Sequence, residues 1–164
     1  MDRINCGTGD EGSPASVSGN TVCVNTFSGT LYALNAKTGT ELWTVTGLDC
    51  GNSNNRPTVA KGVLYVGGTY YGLQYALSAK TGKLLWTSPG SNDFTSGPSL
   101  ANGVIYAQCY GTCALNAATG AILWQSPQGG NTSSQPMVAN GTLYGVCSYN
   151  NECAYDLPQG EAKK

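Results

Sequence analysis

Short apolar runs alternate with turn residues along the whole chain, and the pattern recurs every 38 to 43 residues. In each copy a proline precedes a short apolar run, a two-residue turn follows, and a second apolar run begins directly after the turn. Glycine and asparagine fill most of these turn positions, because they tolerate the positive φ angles of a two-residue hairpin. The front half of each copy therefore predicts two antiparallel strands. The prolines are Pro14, Pro57, Pro98 and Pro136, and the turns are Gly19-Asn20, Lys61-Gly62, Asn102-Gly103 and Asn140-Gly141.

The back halves of the copies are even more alike. Residues 33–43 read Ala-Leu-Asn-Ala-Lys-Thr-Gly-Thr-Glu-Leu-Trp, residues 76–86 and 114–124 follow the same pattern, and a degenerate fourth copy starts at Ala154. This pattern predicts a third strand, a turn at Thr-Gly and a fourth strand that carries the tryptophan.

Four strands joined by three hairpin turns form an antiparallel sheet that cannot bury both faces alone. The sheets must therefore stack on one another, as in the propeller blades built from repeats of about 40–50 residues. We predict an all-β domain over residues 1–164, with four four-stranded blades at about 13–54, 55–95, 96–134 and 135–164.

The stretch Ala-x-Asn/Ser-Ala-x-Thr-Gly-x-x-Leu-Trp resembles the tryptophan-docking repeat of β-propellers of the pyrroloquinoline-quinone (PQQ) type. The resemblance covers nearly the whole chain, and it implies that the tryptophan of one blade packs against the Thr-Gly corner of the next. It is less specific for activity, because the family contains quinoprotein alcohol dehydrogenases and also propellers that bind no quinone, such as the outer-membrane-assembly lipoprotein of Gram-negative bacteria. The residues that match the motif are Trp43, Trp86, Trp124, Thr38, Gly39, Thr81, Gly82, Thr119 and Gly120.

The closure of the ring has three alternatives. The sequence starts and stops at nearly the same phase of the repeat, so residues 1–12 could complete the last blade and close a small four-bladed propeller. Two chains could instead form an eight-bladed ring, or the chain could be part of a longer polypeptide. The last two are favoured over self-closure, because the resemblance implies blades shaped for wider rings.

Composition excludes several classes of function. The chain has 164 residues, 8 Lys and Arg against 9 Asp and Glu, and no histidine. No basic surface for nucleic acid is expected at this low charge, and no apolar run approaches the roughly 20 residues of a membrane span. Without histidine there is no Ser-His-Asp triad, no Cys-His dyad and no histidine-ligated metal.

The seven cysteines indicate an oxidising compartment. Cys109 and Cys147 lie near the end of the second strand in consecutive blades, and each has a second cysteine across the same predicted hairpin. The pairs Cys109–Cys113 and Cys147–Cys153 are therefore predicted disulfides, which favours a periplasmic, cell-surface or secreted protein. Cys6 and Cys50 occupy equivalent loops and form a weaker candidate pair. Cys23 takes a position that is tyrosine in the other copies and is predicted to be buried.

No catalytic set of the family can be placed on this sequence. It contains no Cys-Cys dipeptide, and its three tryptophans all belong to the docking motif. We therefore expect no catalytic residue, metal site or cofactor here, and the favoured function is a non-catalytic scaffold that presents loops to a protein or glycan. Aromatic residues that could bind from those loops are Phe27, Tyr70, Tyr71, Tyr110 and Tyr149, although packing between hairpins explains them equally well.

Two other functions stay open. The chain could belong to a PQQ-dependent dehydrogenase whose catalytic blades lie outside it, or it could be a structural subunit that forms a homodimer or a larger assembly through open blade edges.

Overall fold

A computed structural model of the chain describes residues 14–48, 50, 55–68, 73–89, 96–109, 111–126, 134–148 and 151–157. All regular structure in these residues is β-strand. The strands are β1 (Ser16–Ser18), β2 (Thr21–Asn25), β3 (Leu31–Asn35), β4 (Glu41–Val45), β5 (Thr58–Ala60), β6 (Val63–Gly67), β7 (Gln74–Ser78), β8 (Leu84–Thr87), β9 (Ser99–Ala101), β10 (Val104–Gln108), β11 (Thr112–Asn116), β12 (Ile122–Gln125), β13 (Met137–Ala139), β14 (Thr142–Ser148) and β15 (Asn151–Asp156). The described part of the chain contains no helix long and apolar enough to cross a membrane.

Each repeat forms its own antiparallel sheet, which we call a blade. Blades one to three have the strand orders β1-β2-β3-β4, β5-β6-β7-β8 and β9-β10-β11-β12, and blade four has the order β13-β14-β15. The predicted all-β propeller fold with antiparallel blades is confirmed. Residues 1–12, which were predicted as a possible completion of the last blade, and residues 158–164 at its end lie outside the described residues.

The turns between first and second strands have the geometry that their sequence predicts. In the last three blades both central residues have positive φ, for example 50° at Asn102 and 79° at Gly103. This is the type I′ hairpin, whose twist matches that of the flanking strands. Lys61 also has φ of 50°, although lysine, unlike asparagine, cannot stabilise the left-handed conformation with a short polar side chain.

The turns between third and fourth strands are held by the residue that ends the third strand. The Asn35 carboxamide oxygen accepts the backbone N–H groups of Lys37 and Thr38 at 2.9 and 3.2 Å. The Asn116 carboxamide does the same for residues 118 and 119. These side chains satisfy turn amides that have no partner in the ladder, as Asx turns do.

The core lies between the blades. The first strands of the blades neighbour one another in the order β1, β5, β9 and β13. Each blade uses one face, which we call its forward face, to pack against the following blade, and the opposite backward face to pack against the preceding one. At the first junction, Cys23 and Ala33 of blade one share an apolar cluster with residues of blade two, among them Leu64 and Leu77.

Candidate functional site

One end of the arrangement carries the connections between blades together with those between the second and third strands. Because the strands of a blade are antiparallel, the connections from second to third strand and those from one blade to the next lie at the same end. We call this end the loop face. Between second and third strands, the structure describes residues 26–30, 68, 73, 109 and 111 of this face. Between blades, it describes among others residues 46–48, 55–57, 88–89, 96–98 and 134–136. In the sequence, the candidate binding aromatics all lie between a second and a third strand, which is a position that belongs to this end.

The disulfides brace the loop face in blades three and four. Cys109 bonds to Cys113 with a Cα–Cα distance of 5.8 Å, and Cys147 bonds to Cys153 at 5.6 Å. Both pairs predicted from the hairpin spacing are present in the structure. Each closes the connection between the second and third strands, so the loop ends cannot separate. Cys6 lies outside the described residues, and its pairing with Cys50 stays a prediction.

Buried polar side chains stabilise the loop face through hydrogen bonds to backbone carbonyls. The Asn25 amide donates to the carbonyl of Cys50, and the Asn55 amide donates to the carbonyls of Gly67 and Gly68 at 3.0 and 3.1 Å. Connecting segments cannot join the strand ladder, so their buried carbonyls need such side-chain partners. Residues 25 and 55 are both fully buried.

A few buried polar atoms in the described part of the chain make no hydrogen bond to protein. They are the Oδ1 atom of Asn55, the hydroxyl of Ser96 and both amide atoms of Gln74. Buried polar groups of this kind usually bind ordered water. The carbonyl of Gly67, which Asn55 contacts, belongs to the residue that pairs with Gln74 in the ladder, so two of these residues lie close together.

Phe27 is the candidate aromatic that the structure describes, and it projects into solvent. Its side chain is 60% exposed, whereas the neighbouring Thr26 is buried. The loop is tightly closed: the N–H of Thr26 donates to the carbonyl of Thr30 at 2.9 Å, and the N–H of Gly29 donates to the carbonyl of Thr26 at 3.0 Å. Gly29 has φ of 81°, which favours glycine. The other four candidates, Tyr70, Tyr71, Tyr110 and Tyr149, lie outside the described residues.

The tryptophans lie at the junctions between blades. The indole N–H of Trp43 donates to the carbonyl of Ala79 in blade two, and that of Trp86 donates to the carbonyl of Ala117 in blade three, both at 3.0 Å. A Cβ at Gly120 would come within 2.5 Å of the Trp86 ring. Trp124 packs edge-on against Tyr155 of blade four at a centroid distance of 5.0 Å.

The two residues of the Thr-Gly corner make different contacts: the glycine packs against a tryptophan of another blade, and the threonine bonds within its own turn. Gly82 lies beneath the Trp43 ring and Gly120 beneath the Trp86 ring, and all three corner glycines, Gly39 included, have φ between 71° and 75°. The threonine hydroxyls stay within their own turns: those of Thr81 and Thr119 accept the N–H of the residue two further along, and that of Thr38 contacts the Thr40 hydroxyl.

Sequence reasoning missed a second set of junction residues. The hydroxyls of Ser16, Thr58 and Ser99, at equivalent positions of the first strands, donate to the carbonyl of the proline that precedes the first strand of the next blade. The acceptors are Pro57, Pro98 and Pro136. A hydroxyl residue near the start of the first strand in blades one to three was a visible signal, but its partner lies about 40 residues away, where no local pattern points.

The described residues do not fit a quinone and its metal ion. They contain no group of three or more acidic, cysteine or histidine residues that could hold a metal. The Trp43 and Trp86 rings pack against the next blade's glycine corner, so neither offers a face to a quinone. Residues 49 and 51–54, which contain Asp49 and most of the neighbouring asparagines, lie outside the described residues.

Burial holds three nucleophilic groups of the described interior in their neutral form. Burial raises the pKa of the Cys23 thiol to about 11. It also raises the pKa values of the Tyr65 and Tyr106 hydroxyls above their ordinary value of 10.0. A thiol with a raised pKa forms little thiolate at neutral pH and is a poor nucleophile. The arrangement thus fits packing and binding better than covalent chemistry.

Comparison with known proteins gives one family and several structural neighbours. A family model described as outer membrane protein assembly factor BamB matches residues 28–163. BamB from Moraxella catarrhalis is 22% identical over 87% of this chain and 44% of that chain, with a TM-score of 0.69. This chain therefore spans less than half the length of that protein. No curated protein matches the sequence.

Two further solved structures match this chain over different shares of their own length. The computationally designed Ika4 protein is 13% identical, with a TM-score of 0.76 over 95% of this chain and 99% of that one. Quinohemoprotein alcohol dehydrogenase from Comamonas testosteroni is 27% identical over 68% of this chain, which is 20% of the enzyme, with a TM-score of 0.55. The first is a solved chain that matches this one almost from end to end, and the second is matched over a small part.

Proposed function

The chain belongs to the family of the outer membrane protein assembly factor BamB, and from this premise we propose that it is a non-catalytic scaffold that binds a protein partner through its loop face, outside the cytoplasm. The fold alone supports neither binding nor catalysis, since related propellers include enzymes. The proposal therefore depends on what the loop face offers.

The observation that carries the proposal is Phe27. Its aromatic ring is exposed at the tip of a loop whose backbone is already fixed by hydrogen bonds. A partner that covers this ring gains apolar burial without the entropy cost of ordering the loop. Exposed aromatic residues on rigid loops are typical centres of binding energy in protein interfaces.

The disulfides support a location outside the cytoplasm. Disulfides persist in oxidising compartments and are rare in the cytosol. This chain carries two within-blade disulfides at the same end as Phe27. They hold the loop face in one shape, which suits a surface that must match a partner.

A protein partner is favoured over a glycan by the family, whose description names a factor of protein assembly. The enzyme alternative predicts saturable binding of PQQ with calcium. We expect none, because the described residues contain no carboxylate cluster and the rings of Trp43 and Trp86 are covered by the glycine corner of the next blade. Fluorescence titration of the tryptophans with PQQ and calcium tests this directly, and saturable quenching would favour the enzyme.

Site-specific crosslinking tests the partner proposal. A photoreactive amino acid replaces Phe27 in cells that naturally express the chain, and in a matched control it replaces Leu123, which is 53% exposed but lies on β12 away from the loop face. We expect a protein adduct at position 27 that is missing at position 123. The captured protein is then purified for calorimetry.

In the binding assay, Phe27→Ser should weaken the complex by at least about tenfold, whereas Leu123→Ser should leave it unchanged. Equal effects of the two substitutions would refute the role of the loop face. A carbohydrate adduct in place of a protein would show that the partner is a glycan.

A further inference from the structure

The three junctions inside the chain use equivalent residues on both sides. At the second junction, Tyr65 and Ala76 of blade two form one cluster with Ile105 and Leu115 of blade three, and Leu100 packs against it. At the third junction, Tyr106 and Ala114 meet Leu143, with Val138 and Tyr155 alongside. A forward face thus offers an aromatic or cysteine residue and an alanine, and a backward face offers three apolar residues.

The forward face of blade four has equivalent residues, but the described part of the chain does not bury them. Tyr144 stands where Tyr65 and Tyr106 stand, yet its side chain is 49% exposed, whereas theirs are buried. Ala154 is exposed, although the equivalent alanines at 33, 76 and 114 are fully buried. Met137 on the neighbouring first strand is 64% exposed.

The backward face of blade one is open as well. Val17 is equivalent to Val59, Leu100 and Val138, and it is 65% exposed, whereas those three are partly buried against the preceding blade. Val22 and Leu34 are only half-buried, although the equivalent Leu64 and Leu77 are completely buried. The described residues thus leave two apolar faces exposed, and the two faces match each other as the two sides of each internal junction do.

We propose that a second copy of this chain covers both faces, with blade one of each copy packed on blade four of the other. Among the described strands, packing runs from β1 through β5 and β9 to β13, and the faces at the two ends are exposed in the same molecule. A second copy of the chain supplies both missing faces, because its blade one carries the backward face and its blade four the forward face. A two-fold axis would give two identical junctions and close eight blades into one ring, with no exposed apolar face left over.

The new junctions differ from the internal ones at one position. Ser16, Thr58 and Ser99 donate a hydrogen bond across each internal junction, but the fourth blade has Met137 at this place. The junction between copies is consequently held there by apolar contact alone. This proposal concerns assembly and does not depend on the partner bound at the loop face.

The mass in solution tests the proposal on the full chain, kept non-reducing. Sedimentation equilibrium should give the mass of two chains for the unmodified protein. Tyr144→Glu, and separately Val17→Glu, should raise the dissociation constant at least about 100-fold, because each places an unpaired carboxylate in both junctions of the ring. Leu123→Glu is the matched control, since this half-exposed residue lies on neither end face, and it should leave the mass at two chains.

A compensating pair separates loss of docking from loss of folding. Val17→Lys combined with Tyr144→Glu in one chain places opposite charges together at each junction and should recover most of the association lost in Tyr144→Glu. Single-chain mass for the unmodified protein up to about 100 µM would overturn the proposal. A disulfide trap with Val17→Cys and Tyr144→Cys gives a second readout: a crosslinked product of two chains supports it, and a product of one chain shows that the propeller closes on itself.

Discussion

Replacing Gly120 by alanine should destabilise the protein more than the same replacement at Gly103, although the two glycines have nearly the same backbone conformation. Their φ angles are 75° and 79°. Alanine in the left-handed region costs about 1–2 kcal/mol at either site. At Gly103 no heavy atom lies within 4 Å of the added Cβ, so this strain is the whole cost.

At Gly120 the added Cβ meets the Trp86 ring, with three ring atoms between 2.5 and 2.9 Å. Real Cβ contacts do not occur at such distances, so the indole must move and its hydrogen bond to the carbonyl of Ala117 must lengthen. Overpacking of this kind costs about 1–3 kcal/mol. We therefore expect Gly120→Ala to lower the free energy of unfolding by about 2–5 kcal/mol, against about 1–2 kcal/mol for Gly103→Ala.

Urea unfolding of the two variants measures the difference. Tryptophan fluorescence and far-UV circular dichroism should give coincident transitions, which shows that unfolding is two-state and that its free energy can be extracted. Repeating Gly120→Ala in a Trp86→Phe background tests the cause, because the smaller ring removes most of the clash. The extra cost should then fall to that of Gly103→Ala. Equal destabilisation of the two single variants would refute the view that the corner glycine is required by the neighbouring tryptophan.

Three further outcomes are expected. The double replacement of Cys109 and Cys113 by serine should lower the free energy of unfolding by about 2 kcal/mol, because the unfolded chain regains the entropy of a five-residue crosslinked loop. Reducing agent should then lower the melting temperature less than it does for the unmodified chain. Raising the pH should destabilise the fold between about pH 9 and 11. The thiol of Cys23 has its ordinary pKa of 9.0 in the unfolded chain but a pKa of about 11 in the folded one, so the unfolded state loses the proton first. Between pH 8 and pH 10 the free energy of unfolding from urea titrations should therefore fall by about 1 kcal/mol more for the unmodified protein than for Cys23→Ala, and equal falls would contradict the burial of this thiol. Lys61→Asn should stabilise the protein by about 0.5–1 kcal/mol in the same assay, since asparagine adopts the φ of 50° found there more easily than lysine, and a loss of stability would show that the lysine side chain contributes something else.

The repeating pattern was sufficient to predict the blades, because each blade is built from local interactions. The turns at Asn102-Gly103 and Asn140-Gly141 need residues that accept positive φ, and the sequence shows them openly. The disulfide pairs could be predicted as well, since three or five intervening residues can close a hairpin without any knowledge of the rest of the molecule. The Thr-Gly-x-x-Leu-Trp motif, however, indicated the docking arrangement only through its resemblance to a family.

The hydroxyl bridges of Ser16, Thr58 and Ser99 are an example of what local patterns do not contain. A serine or threonine at the start of a strand is compatible with many partners, and only stacking of the blades selects the proline carbonyl of the next repeat. The rigid presentation of Phe27 is another example. The sequence named this residue as a candidate, whereas the bonds between Thr26 and Thr30 that fix its loop became visible only in the fold.

The sequence by itself thus determined the strands, their turns and the membership of the chain in a propeller family, because these depend on neighbours within one hairpin or one repeat. Only the tertiary structure decided which faces are covered. Tyr65, Tyr106 and Tyr144 occupy the same position of the repeat, yet the first two are buried and the third is half-exposed. The physical reason is that burial depends on the presence of a following blade, which is a property of the stack as a whole and leaves no mark in the repeat that carries the tyrosine.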